Sequence, residues 1–155
     1  MVHNIFITTI AAAFTTLGFA VLYNIPRRLL HVSALVGAIG WIFYYIFVDT
    51  LEAQLFVSAG LASLVISIVS QLFARRYAVP VTLFSIPAII PFVPGGSAYN
   101  AMRAFIVGEY FVATGNIIDT FLIAGAIALG LTVNTAIFQV LSPKAILQQG
   151  RRYLP

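Results

Sequence analysis

The 155 residues are 61% hydrophobic and 8% charged, with a mean hydropathy of +1.04. Soluble domains carry about 25% charged residues, so this is an integral membrane protein whose apolar stretches leave no room for a separate catalytic domain outside the bilayer. The absence of cysteine excludes disulfides and thiolate metal sites, and the net charge of +4 is carried by basic pairs at the ends of apolar segments, the pattern of membrane anchors rather than of a nucleic-acid-binding face.

The chain opens Met1-Val2-His3-Asn4 without the positive region of a signal peptide, and no small-residue cleavage site follows, so the first apolar segment is expected to be retained. It reads as a helix over 4–23 that ends in Asn24-Ile25-Pro26-Arg27-Arg28. A second helix over 33–48 finishes in Phe43, Tyr44, Tyr45 and Phe47, an aromatic group suited to the membrane interface, followed by Asp49 and Glu52. A third over 54–73 ends at Arg75-Arg76-Tyr77. The fourth segment, 80–109, is expected to start at Pro80, break between Pro91 and Gly96, and resume at Ser97. The fifth, 117–141, takes Asn116 as its N-cap and leaves a basic tail over 142–155.

Arg27, Arg28, Arg75, Arg76, Lys144, Arg151 and Arg152 are seven of the eight positive charges, and all lie in connections or in the tail. Because Lys and Arg collect on the cytoplasmic side, the expected architecture is a single all-α membrane domain over 1–155 with five crossings, the amino terminus outside and the carboxyl terminus in the cytoplasm. Small residues recur four apart at Ala34 and Ala38, at Ala59, Ser63 and Ser67, at Ala124 and Ala128, and at Ala126 and Gly130. Lipid supplies no hydrophobic drive between helices, so small residues serve by letting backbones approach.

Residues 86–103 carry the chemistry. Pro87, Pro91 and Pro94 with Gly95 and Gly96 forbid a continuous helix in an otherwise apolar stretch. Backbone groups freed at membrane depth are tolerated where they are buried in protein or line a watery cavity, and transporters place substrates at such breaks. A half-helix starting near Ser97 would aim its first-turn N–H groups into the break, where their partial positive charge suits a carboxylate. Ser97, Asn100 and Arg103 follow at three-residue intervals with Tyr99 four before Arg103, one polar face. Pro94, Gly95, Gly96, Ser97, Tyr99, Asn100 and Arg103 are therefore the candidate substrate-binding residues. Arg103 has two readings: a functional cation within the membrane, or a structural one that snorkels outward or pairs with Glu109 or Asp119. Asp119, three residues after Asn116, reads first as a helix-start acid; Asp119 and Glu109 are the candidates for ion coupling. His3 and His31 read as interfacial.

Gly95-Gly96-Ser97 as an intramembrane serine nucleophile would need a general base at the same depth, and both histidines lie elsewhere. There is no His-Glu-x-x-His pair for zinc and no phosphate loop ending in Lys-Ser or Lys-Thr. No catalytic residue, metal or cofactor is expected, and the chain is not read as an enzyme.

Gly18-Phe19, Asn24-Ile25-Pro26-Arg27-Arg28-Leu29-Leu30, Gly37-Ala38-Ile39-Gly40 and the element from Ile90 through Pro91-Phe92-Val93-Pro94-Gly95-Gly96-Ser97-Ala98 to Tyr99 give the chain a further identity as a pattern. It resembles the threonine/serine exporter family over nearly its whole length, specifically the small membrane subunit of the split, two-protein form. The resemblance implies a multi-pass protein of the bacterial inner membrane. Its function would be export of a small hydrophilic metabolite: threonine or serine in fused members, a dicarboxylate such as succinate in some split ones. It also implies a larger multi-helix membrane subunit as partner, beside membrane lipid and a small-molecule substrate, with no nucleic acid. The alternative is a non-transporting membrane scaffold whose broken segment makes room for a partner helix.

Overall fold

The computed structural model describes residues 2–49 and 53–141; Glu52 and the expected basic tail 142–155 lie outside the described residues. Every element among the described residues is helical. They are α1 (Val2–Leu22), α2 (Leu30–Asp49), α3 (Leu55–Tyr77), α4 (Thr82–Ile89), α5 (Gly95–Val107) and α6 (Tyr110–Leu141), with 3-10 turns at Arg27–Leu29 and Ile90–Phe92. Four stretches, Ile5–Leu22, Arg27–Asp49, Leu55–Tyr77 and Tyr110–Phe138, are long and apolar enough to cross a membrane. The protein is an all-α membrane protein, and its fourth expected segment is divided into α4, the second 3-10 turn and α5.

Three helix ends are made by a residue in the left-handed conformation: Asn24 at φ 55°, Ala78 at φ 51° and Gly108 at φ 88°. At Gly108 the N–H donates to Phe105 O at 3.2 Å and the Glu109 N–H donates to Ala104 O at 2.9 Å, so the last carbonyls of α5 are satisfied as the chain turns. The Ala113 N–H then donates to Glu109 O at 2.9 Å and α6 begins at once. The expected start at 117 is thus seven residues late. Asn116 is no cap: its amide donates to the Val112 carbonyl one turn back, at 2.9 Å, inside the helix. Asp119 accordingly lies well inside α6, exposed, and not at a helix start.

The core forms where α4 sits among α1, α2 and α3. Phe84, Pro87 and Ala88 of α4 are fully buried with Val36 and Ile66. Pro87 lies inside this short helix, where it removes one helical N–H, and α4 ends two residues later. α6 packs on α3. Ser63 Oγ donates to Ile127 O at 3.2 Å, Ser67 Oγ to Leu131 O at 3.4 Å, and Arg75 lies 4.7 Å over the Phe138 ring. Residue numbers rise together along both helices, so α3 and α6 are parallel.

Two of the expected small-residue repeats meet here, Ala59, Ser63 and Ser67 of α3 and Ala126 and Gly130 of α6: a side chain added at Gly130 would collide with Ser63 Oγ and the Gly60 carbonyl oxygen. Ala124 and Ala128, the other expected pair on α6, are instead exposed.

α5 packs against α6 and not against the α1–α4 bundle. Ala101 and Ala104 are buried with Ala113, letting the two backbones approach. With Ser63 level with Ile127, Leu55 is level with about residue 119, and the start of α6 runs on about 14 Å past the start of α3. α5 and this part of α6 form an arm with large exposed apolar side chains, Ile106, Phe111 and Phe121 among them.

Candidate functional site

The break is built by the prolines. The chain leaves α4 through the 3-10 turn at Ile90–Phe92, which places Pro91 where its missing N–H costs little. Pro94, at φ −75° and ψ 51°, is the centre of an inverse γ-turn, with the Gly95 N–H donating to Val93 O at 2.7 Å. The next backbone bond, from Ala98 N–H to Pro94 O at 3.1 Å, starts α5. Gly95 and Gly96 are therefore the first residues of α5, two before the expected Ser97, and neither has a positive φ. The freedom of glycine to adopt backbone conformations closed to other residues is thus not used at either position. What they provide is space: a Cβ added at either would meet nothing within 4 Å.

Gly96 and Ser97 follow Gly95 in the first turn, so their N–H groups have no acceptor within the helix, and no side chain caps them. Partial positive charge is therefore presented beside Pro94 on an exposed backbone. Phe92, 6% exposed, anchors the break to α2: its ring lies 5.5 Å from Trp41 and 5.4 Å, edge-on, from Tyr44, and those two are 5.4 Å apart. Tyr44 is thus a wall of the break rather than part of an interfacial ring; Phe43 and Phe47 pair separately at 6.2 Å. Sequence reasoning missed this clamp. Its signal was the three-residue spacing of Trp41 and Tyr44 on one face of α2 and an aromatic residue between two prolines.

Further along α5, Asn100 and Arg103 line a cavity of about 320 Å³ with Glu109 and Asn116 across from them on the turn and on α6. The structure thus brings together two of the predicted binding residues and one of the predicted coupling acids. It leaves Ser97, Tyr99 and Asp119 outside this cavity; Tyr99 is 61% exposed. No ion pair within 4.0 Å joins Arg103 to Glu109 or Asp119, so the structural reading of Arg103 as a lock between helix ends is not realised. Gly96 and Arg103 are separated by about 10 Å of helix, further than one small amino acid reaches.

This geometry offers two polar stations on one half-helix: uncapped N–H groups at its start, and a cation, a carboxylate and two amides near its end. Both suit a small zwitterion or carboxylate. Among the described residues no group of three or more His, Cys, Asp and Glu side chains could hold a metal ion.

No solved structure matches the chain. The family model described as threonine/serine exporter, ThrE, matches residues 8–137, a span that takes in the broken segment and both polar stations. A match over that much of the chain, on a helical protein with four membrane-length apolar stretches, identifies it as a multi-pass membrane protein of transport: the chain belongs to the threonine/serine exporter family.

Proposed function

We propose that this chain is the small membrane subunit of a two-protein exporter that moves a small carboxylate-bearing metabolite, threonine, serine or a dicarboxylate such as succinate, out of the cell by alternating access, without enzymatic chemistry. The observation that carries the reading is the uncapped start of α5 beside Pro94, with open space at Gly95 and Gly96. Helix starts of this kind at interrupted membrane segments hold substrate carboxylates. In this reading Pro94, Gly95, Gly96 and Ser97 form the first station. Asn100 and Arg103, with Glu109 as the candidate for ion coupling, form the second, and Tyr99 and Asp119 stand beside the path.

The single domain has five crossings, the amino terminus outside and the carboxyl terminus in the cytoplasm of a bacterial inner membrane. Parallel α3 and α6 support this, because the chain between them must then return across the membrane. The larger subunit covers the α5–α6 arm, whose start-of-helix face the rest of this chain leaves open. In such an arrangement the partner supplies the second wall of the path, as in transporters made of two inverted halves.

Efflux of labelled threonine, serine and succinate, compared between cells with both proteins, with either alone and with neither, tests the proposal. Export of one of them that requires both proteins is the expected result. Unchanged efflux on deletion, with loss of the larger protein from the membrane, would instead favour a scaffold.

A further inference from the structure

We propose that the groove between α1 and α2 at the Arg27 end is a binding site for one anionic phospholipid, with the phosphate on Arg27 and His31 and an acyl chain laid along α1. The groove has a volume of about 470 Å³ and is lined by Ala13, Phe14 and Leu17 of α1 and by Leu30 and Ala34 of α2, with Arg27 and His31 as its polar groups. Its shape matches an amphiphile. Phe14 lies eight residues before the end of α1, so the apolar part reaches about 12 Å inward from the helix end.

The charge at its mouth has no ion-pair partner among the described residues. The 3-10 turn at Arg27–Leu29 runs straight into α2, so two arginines and a histidine crowd the start of a helix, where the backbone already presents partial positive charge. An acid is the usual residue there and none is present in the first turn; Pro26 caps with no side-chain bond. Among the described acids, Asp49 ends the same helix at its far end, and Glu109 and Asp119 belong to the α5–α6 arm. Arg27 and His31 are exposed, free to meet a phosphate. A phospholipid supplies the missing anion and covers the apolar wall with one molecule, and the leaflet that basic connections face is the one rich in anionic headgroups. A water-soluble anion would leave the wall bare, and an acidic protein partner would leave the acyl-shaped part of the groove unused. The site does not depend on the exporter reading, which concerns the other end of the fold.

The full chain, purified in mild detergent, is titrated with phosphatidylglycerol, phosphatidylcholine and inorganic phosphate and read by native mass spectrometry. One phosphatidylglycerol should be held in preference to phosphatidylcholine, and Arg27→Gln should weaken it roughly five-fold, with a further loss in Arg27→Gln/His31→Gln. Ala34→Trp, which fills the groove and keeps Arg27 and His31, should expel the lipid while helical content by circular dichroism is unchanged. Equal retention of the two lipids, indifference to Arg27→Gln, or displacement by millimolar phosphate would overturn the proposal. So would a photo-crosslinker at position 34 that captures the larger subunit rather than lipid in intact membranes.

Discussion

The Asn134 side-chain amide donates to the Ser67 hydroxyl at 2.8 Å, a fully buried bond between α6 and α3. Ser67 in turn donates to the Leu131 carbonyl, so one hydroxyl joins two turns of the neighbouring helix. Burial of an amide in this setting requires a partner, and the partner fixes the rotation of α6 on α3. The α5–α6 arm is held to the rest of the protein through this seam, and with it the position of the second polar station.

Asn134→Leu should therefore loosen the arm at modest cost, on the order of 1 kcal/mol, as hydrogen bonds between membrane helices go. Gly130→Leu should do far more, because its side chain would meet the Gly60 backbone, which cannot move aside, as well as the Ser63 hydroxyl. Thermal unfolding in detergent, followed by circular dichroism, checks both; equal melting temperatures for the two variants would contradict the packing.

The parallel course of α3 and α6 puts the start of α3 and the turn at Gly108 at one end of the fold and Arg75–Arg76 at the other; in the proposed five-crossing arrangement the first end is external and the arginine connections are cytoplasmic. Reporter fusions after Asp49 should signal an external position and fusions after Ala78 a cytoplasmic one. The reverse pattern at either point would refute the five-crossing arrangement.

Flux should need both proteins. Reconstituted alone, this chain should bind to vesicles without moving threonine, serine or succinate, and addition of the larger subunit should restore transport. Substrate-specific flux from the chain alone, at the rate of the pair, would show that one protein suffices.

At the break, Gly96→Leu should abolish export without harming the fold of this chain, because a side chain there enters open space. Arg103→Ala should weaken binding of anionic substrate about ten-fold to a hundred-fold, as loss of a charge-assisted hydrogen bond does. Arg103→Lys should fall between, keeping charge but losing the forked geometry. Membrane level and assembly with the partner, measured in parallel, separate these effects from misfolding; normal transport by well-assembled variants would move the path elsewhere.

Membrane insertion, the number of apolar stretches and the existence of a break after Ile90 were legible in the sequence, since each follows from local rules: bilayer thickness demands long apolar runs, and proline forbids an N–H at a fixed position. The small residues of α3 were legible for the same reason, as a period of four on one helix face. Where α6 begins was not, because Asn116 has the chemistry of a cap, while the hydrogen bonds that end α5 at Gly108 let the next helix start at once. Nor could the chain by itself tell that Gly95 and Gly96 are ordinary helical residues valued for empty space, that Phe92 would find Trp41 and Tyr44, or that Asn100 and Arg103 would face Glu109 and Asn116. Those relations join residues on different helices, and they were decided only when α5 folded back on α6 and α6 lay parallel to α3, because packing between helices, unlike helix formation, depends on partners that are distant in the chain.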